Sequence, residues 1–360
     1  MDSRTTTRIA VVGYGYWGSK HVRVLSGMPD VAVTVIDGDA ARLMEASAHY
    51  PSVRVAVRLR DVLDDVDAVI VATPPTTHFA VALEALTANL PVLVEKPVAA
   101  TVPEAEALVT IAAERGQTLM AGHTFEYNPA VRKLREIVRS GTLGRILYID
   151  SARLNLGLYR PDVNVIWDLA PHDISIASYL LDERPVACSV WARRNIGRRH
   201  ADVAYLRLEY PTTHAFVHVS WLNPDKVRRT TVVGERKMAV YDDLSDNERI
   251  RIYDIGVDAA TVDGTGASGD MPVTYRTGDI ISPYVPFREP LVLQDEHFVY
   301  CVRTGARPDT PGERGLDVVR VLAATDVALA SAEPASVGSL VGLPRAGSAP
   351  VLIPTQWAAS

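Results

Sequence analysis

The run Ile9-Ala10-Val11-Val12-Gly13-Tyr14-Gly15-Tyr16-Trp17-Gly18 constrains this chain more than any other segment. Its apolar start reads as a strand, and the glycines that follow, spaced G-x-G-x-x-G, open directly into a helical pattern. Gly13 permits the tight turn, Gly15 lets the backbone approach a pyrophosphate, and Gly18 lets the helix pack closely on the strand. The helix N-terminal N–H groups then face the anion. A second strand, read over Val31 to Ile36, delivers Asp37 about 20 residues after the glycines. A carboxylate there accepts hydrogen bonds from the ribose hydroxyls of NAD and repels a 2′-phosphate. The motif alone could be a glycine-rich surface turn; strand, helix and acid together favour a dinucleotide, with NAD ahead of NADP.

The first third of the chain continues in alternation. Helical patterns over Tyr16 to Ser26, Asp39 to Tyr50, His78 to Ala88 and Val102 to Arg115 separate strand-like runs at Val66 to Ala72, Pro91 to Val94 and Thr118 to Ala121. Apolar runs between helices are the mark of parallel strands buried on both faces, so residues 1–123 read as a doubly wound Rossmann unit. From His123 the character changes. Helices at Pro129 to Ser140 and Asp168 to Leu181 flank a long strand, Arg145 to Leu154. Strand-like runs then follow in series: Ala187 to Arg193, Val203 to Tyr210, His214 to Trp221, Arg229 to Val233, Met238 to Tyr241 and Arg249 to Ile255. Strands in series predict an open, mostly antiparallel sheet, and helices at Leu293 to Arg303 and Glu313 to Ser331 close an α/β substrate and oligomerisation domain over 124–333. Residues 334–360, rich in Ala, Gly, Ser and Pro, read as a tail or arm.

Composition narrows the class. With 360 residues, 48% hydrophobic and 22% charged, the chain is long enough for two packed domains. A net charge of −6 argues against nucleic acid as a partner. Cys188 and Cys301 are too few for a disulfide framework or a zinc site, and no metal centre is expected. The polar residues 1–8 have no signal-peptide character, and no stretch approaches the ~18 apolar residues of a membrane span. A cytoplasmic protein is the expectation.

Chemistry-bearing residues cluster at the expected strand ends. Thr73-Pro74-Pro75 with His78 follows one strand and Glu95-Lys96-Pro97 another, both where an open α/β sheet binds ligands. Gly122-His123 stands at the exit from the first unit, and Asp168-Leu169-Ala170-Pro171-His172-Asp173 opens a later helix. Together with the glycine turn, these ordered motifs resemble the glucose-fructose oxidoreductase / inositol dehydrogenase / MocA family of NAD(P)-dependent sugar and cyclitol oxidoreductases, over roughly residues 8–332. The resemblance implies that Lys96 works at a substrate hydroxyl, with Asp168 and His172 beside it.

The residues support that reading independently. Asp168 and His172 stand four apart, on one helix face. Pro171 is tolerable in a first turn, which puts His172 near a helix N-terminus that favours neutral imidazole. The bland alternatives are Asp168 as an N-cap, His172 as a core histidine and Lys96 as a surface lysine. Cofactor contacts are expected from Gly13, Tyr14, Gly15, Tyr16, Trp17, Gly18, Asp37, Thr73, Pro74, Pro75, His78, Glu95, Lys96 and Pro97, although the turn's aromatic residues could instead pack on a neighbouring helix. Substrate contacts are expected from Lys96, His123, Tyr127, Asn128, Arg153, Asp168 and His172. Arg160 and Lys226 are weaker candidates. The segment Trp191 to His200 carries Arg193, Arg194, Arg198 and Arg199, which could grip a diphosphate or line a solvated loop or subunit contact.

The expected function is hydride transfer between NAD and a secondary alcohol or ketone of a sugar, first a nucleotide-linked hexose at C3, second an inositol-type cyclitol or a glycoside. A catalytically silent NAD-binding regulator is the alternative of another class. An exposed sheet face predicts a homodimer or homotetramer.

Overall fold

The computed structural model describes residues 6–157, 159, 163–196, 199–259 and 273–331. Arg160, Arg198 and the tail 334–360 lie outside the described residues. The first half builds β1 (Thr7–Val12), α1 (Tyr16–Ser26), β2 (Val31–Ile36), α2 (Ala40–His49), β3 (Arg54–Ala56), β4 (Ala68–Val71), α3 (Pro75–Thr87), β5 (Val92–Glu95), α4 (Val102–Glu114) and β6 (Leu119–Gly122). The strands pair in parallel in the order β3-β2-β1-β4-β5-β6. The order reverses between β1 and β4, which opens a crevice at their C-terminal ends. Every residue of β4 and β5 is buried, as strands covered on both faces must be. The sequence pattern gave no hint of β3, a three-residue edge strand without an apolar face.

The second half continues through α5 (Pro129–Arg139), β7 (Ile146–Leu156), α6 (Val165–Leu181), β8 (Ala187–Arg193), β9 (Val203–Glu209), β10 (His214–Ser220), β11 (Leu222–Gly234), β12 (Met238–Asp242) and β13 (Ile250–Tyr253). Two short strands, β14 (Gly256–Ala259) and β15 (Val273–Arg276), form a separate antiparallel pair, and β16 (Ile280–Ile281) ends the strand series. The main sheet runs β16-β13-β12-β11-β7-β10-β9-β8 and is antiparallel except where β10 pairs with β7. One face packs on helices: along β9, Ala204, Leu206 and Leu208 are buried while Tyr205 is half exposed. The other face carries Tyr148, Trp191, Tyr205 and Phe216, each at least 40% exposed.

Of the last two helices, α7 (Pro290–Thr304) packs on the first half, and α8 (Gly312–Ser331) joins the two sheets. Phe298 and Val299 of α7 join the core under β1, and Leu316 and Val319 of α8 join the core around β4 and β5. On its other side α8 gives Val318, Val321 and Leu322 to the core of the second sheet. Burial of apolar surface on both sides makes the cleft between the halves a fixed feature.

A buried ionic group adds direction to that packing. His21 of α1 is fully buried, with Nε2 donating to Glu95 Oε1 at 3.1 Å and Nδ1 donating to Asp295 of α7 at 2.9 Å. Burial by itself would expel the proton, but Asp295 and Glu95 outweigh it and push the imidazole up to about 10. A group held above its unfolded value contributes fully below about pH 6.5, and that contribution drains as pH rises through the folded pKa. The free energy of unfolding should therefore fall as pH rises from neutral toward about 10. His21→Gln should flatten the fall; equal pH slopes for both proteins in denaturant titrations would contradict the clamp.

Candidate active site

The turn after β1 shows why three glycines stand there. Gly13 has φ +93°, and a Cβ on it would lie 2.8 Å from the Ala72 carbonyl oxygen. A Cβ on Gly18 would lie 1.7 Å from the Gly13 oxygen, so helix and turn touch backbone to backbone. Gly15 differs: the nearest atom to its would-be Cβ is Arg42 Nη1 at 3.9 Å, and the space belongs to a cleft of about 600 Å³. No side chain caps α1, whose N-cap residue is Gly15. Asp37 stands farther along the same cleft, its Oδ2 accepting from Tyr14 N at 2.7 Å and its Oδ1 from Asp39 N at 2.9 Å. An open glycine cradle, uncapped helix N–H groups and a fixed carboxylate suit a dinucleotide.

Of the expected cofactor residues, Gly13, Gly15, Tyr16, Trp17, Asp37, Thr73, Pro74, Pro75, His78, Glu95, Lys96 and Pro97 border this cleft. Tyr14 does not. Its ring is 6% exposed and packs into the core with Val22 and Leu43, because the tight turn aims it inward. Gly18 acts by permitting contact, as expected. His78 is buried, its ring nitrogens 2.7 Å from the Pro97 oxygen and 2.8 Å from the Thr73 oxygen, so it staples the two loops together. The Glu95 carboxylate is turned to His21. Arg42, Arg58 and Arg60 also border the cleft, and Arg42 Nη1 lies 3.5 Å from Asp37 Oδ2.

Helix α6 starts three residues earlier than the sequence pattern predicts. Asn164 is its N-cap, accepting from Ile166 N and Trp167 N at 3.0 Å each, so Asp168 does not cap this helix. Pro171 therefore sits in the second turn, where it has no N–H for the Trp167 carbonyl. Lys96 Nζ donates to the adjacent Asp168 carbonyl oxygen at 2.7 Å and stands 4.0 Å from Asp168 Oδ1. Asp168 Oδ2 accepts from Trp221 Nε1 at 3.1 Å. One turn on, His172 meets Phe125 edge-on at 4.9 Å. Burial, then Lys96 and Arg153, hold its imidazole well below the usual histidine range. It is neutral for those reasons, since it lies beyond the first turn, where the helix end acts most strongly.

A second cavity of about 620 Å³ opens on the other side of these residues, and Tyr16, Trp17, Lys96 and Asp168 border both. His172, Asn128 and Arg153, three of the residues expected to touch substrate, line it. Arg153 is engaged already, with Nε 2.6 Å from Asp173 Oδ2 and its guanidinium over Phe125. Asn128 caps α5 and donates to Tyr241 Oη at 2.9 Å. Two expectations fail. Tyr127 is fully buried with its hydroxyl 3.1 Å from Thr310, and His123, pushed down to about 4 by burial and Arg314, borders neither cavity. The turn at Thr124–Tyr127, with His123 as the residue before it, points both rings into the interior. Arg193 and Arg194 border neither cavity, nor does Lys226. The cations that do line the second cavity include Lys20, Arg228 and Arg249, the last two paired with Asp243. Sequence offered no signal for Arg228 and Arg249, which lie in ordinary strand and loop patterns; the Asn164 cap was legible as Asn before an apolar helical run.

Among the described residues no cluster of His, Cys, Asp and Glu could hold a metal ion, and no helix is long and apolar enough to cross a membrane. Residues 7–123 match the model of the oxidoreductase family with NAD-binding Rossmann fold, and residues 131–240 match the GFO/IDH/MocA C-terminal domain. UDP-N-acetylglucosamine 3-dehydrogenase from Acidithiobacillus ferrooxidans is 30% identical over 76% of this chain and 85% of its own. The solved structure of a UDP-N-acetylglucosamine 3-dehydrogenase from that organism superposes with a TM-score of 0.74 and 28% identity, over 89% of this chain and 96% of that one. Inositol 2-dehydrogenase from Corynebacterium glutamicum strain R is 27% identical over 87% of this chain and 85% of its own. The two matched domains, joined by the cleft and cavity that meet at Lys96, make this chain a member of the Gfo/Idh/MocA oxidoreductase family.

Proposed function

We propose that the chain transfers hydride between NAD and a secondary alcohol or ketone of a sugar, with a nucleotide-linked hexose reacting at C3 as its substrate. The observation that carries this reading is that Lys96 and Asp168 border the dinucleotide cleft and the second cavity at once. A nicotinamide bound in the cleft would supply the hydride acceptor. Lys96 donates to the substrate oxygen and stabilises the developing alkoxide, which a fixed ammonium in a partly dry site does well. Neutral His172 takes the hydroxyl proton, and Asp168 holds Lys96 and the hydroxyl in register. In reduction the same groups act in reverse. Convergence of three such groups on one cavity favours an enzyme over a silent NAD-binding regulator.

The substrate class rests on the cavity and on the relatives' names. Five cationic side chains, Lys20, Lys96, Arg153, Arg228 and Arg249, face three carboxylates in a protein of net negative charge, which suits a diphosphate. An inositol or a glycoside, needing no anion site, is the second reading, favoured by the inositol dehydrogenase relatives. Asp37 favours NAD, while Arg42 beside it tempers the repulsion of a 2′-phosphate. Unpaired Cys188 and Cys301 suit the reducing cytoplasm. The aromatic sheet face, with Tyr205 stacked on His218 at 3.9 Å, is the surface through which we expect a second copy to bind; a sedimentation mass of one chain would contradict this.

Lys96→Met should cut turnover with NAD and UDP-N-acetylglucosamine at least tenfold while leaving the Kd for NAD nearly unchanged. His172→Ala should cost ~10² to 10⁴ in kcat. Because burial depresses His172, the acid limb of the wild-type kcat/KM profile should lie below about pH 6.5, and a limb at or above that value would remove His172 as the base. Arg228→Ala should raise KM for the nucleotide sugar, more so at low salt, and leave any myo-inositol oxidation untouched. NAD should bind more tightly than NADP, with Asp37→Ser narrowing the gap; tighter NADP binding by the wild type would reverse the assignment of Asp37.

A further inference from the structure

We infer that Trp221 is a positioning residue, whose indole N–H fixes the Asp168 carboxylate in the orientation that Lys96 and the substrate hydroxyl require. The inference rests on the role proposed above for Asp168. Trp221 stands where β10 passes into β11, 1% exposed, and the backbone on both sides holds it still: its N–H donates to the Asp202 oxygen at 2.9 Å and its carbonyl accepts from Gly157 N at 3.0 Å. The ring is wedged as well. Tyr159 tilts against it at 5.3 Å between centroids, and a Cβ on Gly157 would come within 2.4 Å of Trp221 Cδ1, so only glycine leaves the indole its place.

From that seat Nε1 reaches Asp168 Oδ2 at 3.1 Å, while Oδ1 of the same carboxylate stands 4.0 Å from Lys96 Nζ. The two oxygens are thereby distinguished. One is tied to a buried donor, the other is turned to the cation at the junction of cleft and cavity. An indole N–H suits this task because it donates only, does not titrate, and cannot swap roles with the carboxylate as a hydroxyl or imidazole could. A bond made from a buried donor to a carboxylate is of the stronger kind. The geometry separates Trp221 from the proton chemistry, since it borders neither cavity. Its influence passes through Asp168.

The test compares the full-length wild type with Trp221→Phe and with a chain carrying β-(3-benzothienyl)alanine at this position, in which sulfur replaces the N–H and the ring shape is kept. Turnover is measured with NAD and either UDP-N-acetylglucosamine or myo-inositol, whichever reacts faster. Both replacements should lower kcat about tenfold, equal to about 1.4 kcal/mol, with KM for NAD within about twofold of wild type. In an Asp168→Asn background the same replacements should change kcat by less than about twofold, because the acceptor they act through is already altered. Equal losses in both backgrounds, or a lower melting temperature with kcat intact, would show a merely structural tryptophan and overturn the inference alone. If the benzothienyl chain folds with wild-type kcat, the inference falls whatever the fate of the phenylalanine variant. Should Asp168→Asn itself leave kcat unchanged, or neither alcohol react, the proposed function fails first and this inference with it.

Discussion

A single buried proton ties together the parts on which the site depends. His21 belongs to the helix that opens at the glycine turn, Glu95 immediately precedes Lys96, and Asp295 lies on the helix that returns from the end of the chain. An imidazolium between two carboxylates, all three fully or nearly buried, is costly to desolvate and worse to break, because removing one partner leaves uncompensated charge in the interior. The dinucleotide turn, the lysine-bearing strand and the outer wall of the second cavity are therefore held to one another by direction as well as by packing. Apolar burial between α7, α8 and the first sheet supplies the bulk of the cohesion but little orientation.

The electrostatics of the junction follow from what the clamp holds in place. Lys96 faces the carbonyl and carboxylate of Asp168, in a site that is only 11% open at that side chain. His172 borders the second cavity, largely desolvated and near Lys96 and Arg153, so it stays neutral and able to accept a proton. Opposite protonation states for two basic groups in one cavity are what acid–base chemistry on an alcohol calls for.

Much of this was legible in the linear chain because it is local. The glycine spacing, the apolar runs of β4 and β5, the acid after β2 and the four-residue step from Asp168 to His172 are each fixed by backbone sterics or helix periodicity within a few residues. Those rules also allowed the parallel and mostly antiparallel sheets to be told apart by the presence or absence of helices between strands. The start of α6 turns on an equally local feature: Asn164, standing before an apolar helical run, caps the helix in place of Asp168.

What the sequence by itself determined, then, is the Rossmann half, the identity of Lys96, Asp168 and His172 as candidates, and the order of the elements. Tertiary structure alone decided which side chains meet. Tyr14, His123 and Tyr127 turn inward, and Lys20, Arg228 and Arg249 face the second cavity in place of the conspicuous Arg193 and Arg194. Trp221 reaches Asp168 across 53 positions of sequence, and His21 reaches Asp295 across 274. The physical reason is that a side chain's direction within a turn, and the partner opposite it, depend on how distant elements pack, and periodicity carries no information about contacts made at such separations.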